Sequence, residues 1–166
     1  TSAVLGELVG AYKNRLEAST LTDPLCEVWN QRAFTTTLGD SVAAAHRSGR
    51  PLSLMFLDLD GFKQINDSRG HMEGDRTLRD FAEAIGQGVR SQDMFARLGG
   101  DEFALLLPGT GLAQAEAIGQ RLHETVAGVA WSFGVAELRQ GESVAEFTAR
   151  ADALMFEKKR QRGAGR

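Results

Sequence analysis

The chain has 166 residues, of which 42% are hydrophobic and 25% charged, and its formal net charge is −3. This balance is typical of a globular domain and excludes a disordered chain, and the weak acidic charge argues against a nucleic-acid partner. No apolar run is long enough to cross a bilayer, and no basic stretch followed by an apolar block predicts a signal peptide. Cys26 is the single cysteine, which excludes an internal disulfide and fits a reducing, cytoplasmic setting.

The first 20 residues predict a helix outside the core. Apolar residues recur there at helical spacing, at Leu5, Leu8, Tyr12 and Leu16. A turn-forming segment follows, so we divide the chain into an N-terminal helix or linker stub over 1–20 and a domain over 21–166. The helix is either the end of a longer helix or an element that packs on its own domain, and it is a candidate for pairing two copies of the chain.

The rest of the chain alternates between helical and extended patterns. Helical periodicity predicts four helices, over 30–47, 74–89, 112–126 and 143–159. Apolar runs predict strands over 52–57 and 130–138 and a hairpin over 94–107. This order predicts an α+β fold in which a central, mostly antiparallel sheet is flanked by helices.

Carboxylates stand at the ends of two predicted strands. The first strand runs directly into Asp58 and Asp60, and the hairpin turn presents Asp101 and Glu102. If the strands are neighbours, Asp58 and Asp101 converge at one edge of the sheet. Unpaired carboxylates are costly there, and Mg²⁺ binds one or two carboxylates together with phosphate oxygens. The pattern therefore indicates metal-assisted phosphoryl or nucleotidyl transfer, although a tight turn or a helix cap explains each motif separately.

A turn followed by a short helix is predicted over 60–66. Its first backbone amides and Lys63 could bind phosphate. Asn66 and Asp75 supply an amide and a carboxylate, which suit the acceptors and the two N–H donors of a guanine edge. Capping of helix ends is the alternative role of these two residues, and the two roles can coexist.

Several spaced blocks of this sequence resemble the GGDEF family of diguanylate cyclases. They are residues 56–67 (FLDLDGFKQIND), 70–75 (GHMEGD) and 97–103 (RLGGDEF), with weaker blocks at 23–32, 131–136 and 151–154. The resemblance covers roughly residues 22–160. It implies a fold similar to nucleotide cyclase and polymerase palm domains. It also implies that two domains face each other and condense two GTP into cyclic di-GMP, with release of two pyrophosphates.

The resemblance also implies roles for individual residues. Asp101 and Glu102 would form the catalytic acidic pair, and Mg²⁺ or Mn²⁺ would be held by Asp58, the Leu59 carbonyl and Asp101. The substrate would be contacted by Lys63, Asn66, His71, Asp75, Leu78 and Lys159. An inhibitory site for the product cyclic di-GMP would consist of Arg90, Asp93 and Arg121.

The sequence departs from the family pattern at several positions. Arg69 stands where an aromatic residue is common, and Glu27 replaces a glycine of the opening motif. The arginine that contacts phosphate in relatives falls on Gly163, and Arg162 is the adjacent residue that could substitute for it. His123 is not spaced from other residues in the way that metal-ligating residues are, and its side chain is expected to face solvent.

Two functions from different classes remain. The first is an active diguanylate cyclase that works as a homodimer, usually behind an upstream sensory or receiver domain of a larger or membrane-bound protein. The second is a catalytically weak or inactive module that binds GTP or cyclic di-GMP for signalling. The intact acids Asp58, Asp101 and Glu102 favour the enzyme. We expect no contact of this domain with nucleic acid or membrane.

Overall fold

The computed structural model describes residues 4–9 and 20–164. Residues 4–9 form helix α1, whose apolar side chains Val4, Leu5, Leu8 and Val9 are exposed. Tyr12 and Leu16, which complete the predicted apolar stripe, lie outside the described residues. Within the described ranges, no helix combines the length and the apolar character that crossing a bilayer requires.

The elements follow the predicted order. They are α2 (Gln31–Ser48), β1 (Leu52–Leu59), α3 (Phe62–Arg69), α4 (His71–Gln87), β2 (Met94–Gly99), β3 (Glu102–Pro108), α5 (Leu112–Thr125), β4 (Trp131–Glu137) and α6 (Val144–Ala164). The four strands form one sheet in the order β2-β3-β1-β4, and every neighbouring pair is antiparallel. The structure therefore confirms the predicted α+β fold.

Helices cover both faces of this sheet, which explains why β1 is apolar along almost its whole length. Residues on one face, such as Met55 and Leu57, pack with α4 and α5. Residues on the other face, such as Leu54 and Phe56, pack with α2 and α6. Because side chains alternate along a strand, Asp58 falls on the α6 face.

The position of α6 is fixed by close packing on β4. A Cβ atom added at Gly134 would lie 2.3 Å from the backbone nitrogen of Met155, so only glycine allows this approach. After this contact α6 continues to Ala164, five residues beyond its predicted end. Its basic C-terminal turns therefore lie near the end of β1.

Candidate active site

β1 and β3 bring the predicted acids together. Asp58 is 7% exposed and lies opposite Glu102 in the β1–β3 register, and the Leu59 N–H donates to the Asp101 carbonyl over 3.3 Å. Burial raises the pKa of Asp58 to about 6, the neighbouring Asp101 carboxyl contributes to the rise, and a hydrogen bond from Lys159 opposes it. The antiparallel pairing thus produces the convergence that the sequence predicted.

Lys159 on α6 neutralises this group of oxygens. Its Nζ lies 2.8 Å from Asp58 Oδ2, donates to the Leu59 carbonyl over 3.3 Å and lies 4.0 Å from Asp60 Oδ1. The other carboxylate oxygen of Asp58, Oδ1, is buried and has no hydrogen-bond partner among the residues that the structure describes. A buried acceptor without a partner is costly, so this oxygen is suited to a further cation or donor.

The oxygens fit a hard divalent cation. Asp58, the Leu59 carbonyl and Asp101 supply carboxylate and carbonyl oxygens, the donors that Mg²⁺ and Mn²⁺ prefer. In the part of the chain that the structure describes, no group of three or more His, Cys, Asp or Glu side chains could hold a metal by itself. A cation here would therefore need further oxygens, such as those of a phosphate.

Asp60 lies at the centre of a second polar cluster. It accepts hydrogen bonds from Ser132 Oγ at 3.0 and 3.1 Å and from Arg162 Nη1 at 3.0 Å. Arg162 also donates to the Trp131 carbonyl over 2.6 Å, and its Nη2 lies 2.6 Å from His123 Nε2. The expectation that His123 faces solvent is wrong, because the half-buried ring lies 4.9 Å from the indole of Trp131.

A cleft of about 730 Å³ opens beside these clusters. Its walls are α3, the segment before β4 and the end of α6, and both Lys159 and Arg162 line it. Gly61, also in the wall, has φ of 68° and precedes α3 without a side-chain cap. The free amides and the positive end of the helix dipole favour an anion at this point.

The predicted guanine-contacting residues lie on the α3–α4 hairpin. Asn66 faces α4 so closely that a Cβ atom at Gly74 would lie 1.8 Å from its Oδ1. The side chains of His71 and Asp75, and that of the predicted phosphate contact Lys63, are exposed and form no hydrogen bond or ion pair with any residue that the structure describes, so they are available to a ligand. Leu78 is buried beneath them.

A separate cluster stands beyond the far end of α4. Arg90 donates through Nε and Nη2 to the two carboxylate oxygens of Asp93, each over 3.1 Å, and through Nη2 to Thr110 Oγ1 over 2.7 Å. The Asp93 side chain is 1% exposed. Arg121 on α5 donates to the Gly88 carbonyl over 2.9 Å, which holds it near the same end of α4.

Sequence reasoning missed Ser132 as a partner of Asp60 and His123 as a partner of Arg162. Ser132 stands in the weaker block 131–136, which gave it no role, and both contacts join segments far apart in the chain. The pairing of Asp60 with Arg162, 102 residues later, likewise depends on where α6 ends.

Comparison with known proteins places these observations in a family. The family described as "Diguanylate cyclase, GGDEF domain" matches residues 20–164. The diguanylate cyclase DgcP of Pseudomonas aeruginosa is 35% identical over an alignment 164 residues long, which covers 90% of this chain and 24% of that protein. The response regulator PleD of Caulobacter vibrioides is 40% identical over 119 residues, which are 70% of this chain and 26% of that protein. The chain spans about a quarter of the length of these relatives.

Solved structures share the fold. The coiled coil and GGDEF domain of DgcB from Caulobacter crescentus, in complex with c-di-GMP, superimposes with a TM-score of 0.82 at 28% identity, over 96% of this chain and 91% of that chain. The diguanylate cyclase SiaD of Pseudomonas aeruginosa, in complex with its activator SiaC, gives 0.81 at 33% identity, over 96% and 66% of the two chains.

Proposed function

Because the chain belongs to the GGDEF family of diguanylate cyclase domains, we propose that it condenses two GTP molecules into cyclic di-GMP. The observation that carries this proposal is the buried Oδ1 of Asp58, which has no partner among the described residues and lies near Asp101 at the ends of two paired strands. This arrangement has the oxygens that hold a metal–triphosphate complex.

The metal would be held by Asp58, the Leu59 carbonyl and Asp101. Bound there, Mg²⁺ or Mn²⁺ supplies positive charge to the phosphate oxygens during nucleotidyl transfer. Asp101 and Glu102 form the acidic pair that orients the reacting groups. Lys159, which now neutralises Asp58, has its ammonium beside the cleft and would contact the phosphates.

The nucleoside would bind on the α3–α4 hairpin. Asn66 and Asp75 present an amide and a carboxylate to the guanine edge, and Leu78 provides an apolar floor. His71 would contact the guanine and Lys63 would face the phosphates, and no described residue engages either side chain. Adenine lacks the two donors that a carboxylate accepts, so ATP would be a poor substrate.

The product requires two such sites. In each half-reaction a 3′ oxygen forms a bond to an α-phosphorus, and the bond from that phosphorus to the bridging oxygen breaks. The electron pair leaves with pyrophosphate, and the hydroxyl proton passes to a base. One domain binds one GTP in this scheme. A homodimer with two-fold symmetry therefore brings together two identical sites, and each site carries out one half-reaction.

Arg90, Asp93 and Arg121 would form an inhibitory site for cyclic di-GMP. The Asp93 carboxylate already holds the Arg90 guanidinium in a fixed orientation, which prepares it to pair with a guanine edge. A bound product would link this end of α4 to a second domain and hold the two active sites apart.

The domain extends over 21–166 in this proposal, and the segment 1–20 connects it to an upstream sensory or receiver domain. This organisation is supported by DgcB, whose solved chain contains a coiled coil and a GGDEF domain, and by PleD, which is a response regulator. We place the domain in the cytoplasm, where it would make no contact with nucleic acid or membrane.

Incubation of the protein with GTP and Mg²⁺, followed by chromatography, tests the proposal. We expect cyclic di-GMP and pyrophosphate from GTP and little product from ATP. Binding of GTP or cyclic di-GMP by calorimetry without any product would contradict the proposed activity and favour a signalling module that only binds nucleotides. The comparisons, several of which are with named diguanylate cyclases, support the enzyme.

A further inference from the structure

Two opposite charges on α4 stand one helical turn apart and do not pair. Asp75 and Arg79 are both exposed, and neither side chain forms a hydrogen bond or an ion pair with any residue that the structure describes. An acid four residues before an arginine has the spacing and the order that favour an ion pair on a helix. Arg76 and Asp80 have the same spacing in the less favoured order, and they pair at 3.8 Å. The charges of Asp75 and Arg79 are therefore both available to a ligand.

Arg79 lies towards the segment that precedes α2. Burial raises the pKa of the half-buried Cys26 thiol to about 11, and the charges of Arg97 and Arg79 are among those that oppose the rise. Cys26 and its neighbour Leu25 pack against the core cluster that contains Leu78. Leu78 precedes Arg79 in α4 and is the buried floor of the proposed nucleoside site. The guanidinium of Arg79 thus stands at the margin of that site.

The guanine edge has acceptors that a carboxylate does not recognise. A carboxylate such as that of Asp75 accepts hydrogen bonds from N1–H and from the 2-amino group. O6 and N7 stand next to N1 along the base, and both atoms are acceptors. Asn66 has a single amide group with which to serve the acceptors. An arginine fork donates to O6 and N7 together, through two hydrogen bonds.

The spacing on α4 matches the order of these atoms on the base. Residues four apart on a helix share a face, with their Cβ atoms about 5–6 Å from each other. A guanine that meets Asp75 through N1 and the 2-amino group and lies along α4 over Leu78 has O6 and N7 on the side of Arg79. Adenine would present its 6-amino group, a donor, to the same guanidinium. The contact would therefore favour guanine and disfavour adenine.

We propose that Arg79 recognises O6 and N7 of guanine and is a specificity-determining residue of this domain. The inference rests on the proposed function, because it takes the base to lie at Asp75. It adds a contact with the acceptor half of the guanine edge, whereas Asp75 contacts the donor half. The two halves are recognised by separate side chains, so analogues that lack one atom of the base can test each side chain in turn.

The test measures nucleotide affinities of the parent, Arg79→Ala, Arg79→Lys and the matched control Arg76→Ala. GTP is compared with 7-deaza-GTP, which has a C–H group in place of N7, by calorimetry in EDTA, and kcat/KM is measured with Mg²⁺ in parallel. We expect Arg79→Ala to bind GTP about tenfold more weakly, as the loss of a bidentate contact implies. The parent should bind 7-deaza-GTP several-fold more weakly than GTP, and Arg79→Ala should bind the two equally.

The remaining variants and analogues separate the two halves of the base. Arg79→Lys should regain part of the affinity for GTP, and Arg76→Ala should bind like the parent. ITP lacks the 2-amino group, so its loss of affinity relative to GTP should be the same in the parent and in Arg79→Ala. Arg79→Ala should also narrow the preference for GTP over ATP in kcat/KM. Thermal midpoints confirm that each variant is folded.

The outcomes distinguish this base contact from a phosphate contact and from the proposed activity. If Arg79→Ala binds GTP more weakly but keeps the preference of the parent for GTP over 7-deaza-GTP, the guanidinium contacts phosphate or ribose and the proposal is overturned. Unchanged affinity of Arg79→Ala for GTP, or no binding of GTP by the parent in either buffer, also overturns it. If the parent forms no cyclic di-GMP, yet its preference for N7 depends on Arg79, the proposed activity fails and the base contact stands.

Discussion

At the scale of single residues, the site consists of two neighbouring carboxylic acids, Asp58 and Asp101, of which Asp58 is buried. The Asp58 carboxylate is buried at the end of an apolar strand, and within 4–9 and 20–164 only one of its oxygens has a partner, Lys159. Burial and the nearby Asp101 carboxyl both favour its protonated form, so the folded chain bears an electrostatic cost here. Such a cost is typical of a site that holds a cation when it works.

We expect Asp101→Ala to abolish synthesis of cyclic di-GMP and to leave the thermal midpoint unchanged or raised. The half-exposed side chain contributes no core packing, and its removal relieves the repulsion with Asp58. Asp40→Ala, an exposed carboxylate on α2, is the control and should keep full activity. Parental activity in Asp101→Ala would show that the metal site is placed wrongly.

Arg90→Ala tests the proposed inhibitory site. The substitution removes the guanidinium that Asp93 and Thr110 orient, so the concentration of cyclic di-GMP needed for half-maximal inhibition should rise about tenfold or more. The affinity of a single domain for GTP should change little, since Arg90 lies beyond the far end of α4 from Asp75. Inhibition as tight as that of the parent would instead indicate that product binds in the active site.

The α3–α4 hairpin is the element that holds the predicted guanine-contacting residues, and Gly74 sets its geometry. Gly74→Ala places a methyl group 1.8 Å from Asn66 Oδ1, so α3 must shift or Asn66 must rotate away. We expect a loss of about 1–3 kcal/mol in stability, as in other overpacked sites, and a higher KM for GTP. Both are measured by denaturant unfolding and steady-state kinetics.

Gly39→Ala is the matched control for this change. Gly39 lies within α2, and an added Cβ atom would meet nothing within 4 Å. Alanine there should stabilise the protein by about 0.5–1 kcal/mol, because it reduces the freedom of the unfolded chain, and KM should not move. A similar KM in both variants would show that the position of Asn66 does not affect binding of GTP.

The connection between β4 and α6 depends on the ion pair of Glu142 and Arg150. Arg150 donates to both Glu142 oxygens over 2.8 Å, and the Glu142 side chain is 6% exposed. Hydrogen bonds from Arg150 hold the pKa of Glu142 below its ordinary value of 4.5. The stability that the pair provides is therefore complete above pH 4.5 and is lost as the pH falls through the lower, folded-state pKa.

Glu142→Gln should lower the free energy of unfolding at pH 7 by about 2 kcal/mol, because it leaves the partly buried guanidinium without its counter-charge. The difference between the variant and the parent should shrink as the pH falls below 4.5, where the parent also loses the charge. Denaturant unfolding at pH 7 and near pH 3 measures both values. A constant difference across this range would contradict the assignment.

For the whole molecule, the proposed reaction predicts a dependence on protein concentration. One domain supplies one site, so specific activity should fall on dilution through the range in which dimers dissociate. The exposed apolar residues of α1, such as Leu5 and Leu8, are candidates for joining two copies. Activity measured over a dilution series, beside sedimentation at the same concentrations, tests this. Constant specific activity while the dimers separate would exclude an obligatory dimer.

The sequence by itself determined the elements and the acidic centre of this protein. The apolar run that ends in Asp58 and the glycine turn before Asp101 are local patterns, and antiparallel pairing of neighbouring strands brings their ends together. The start of α4 was predicted three residues late, at 74 instead of His71, because Gly70 alone separates it from α3. Local pattern fixes the type of an element more firmly than its ends.

Only the tertiary structure decided which cations surround those acids. Lys159 reaches the Leu59 carbonyl across 100 residues of chain, and Arg162 reaches Asp60 across 102. Both contacts depend on the close packing of α6 against Gly134. This packing cannot be read from the periodicity of a helix or a strand. The same packing made Arg162 a neighbour of His123. Periodicity reports which face of an element is buried, whereas the partner of a charge is set by how those faces pack.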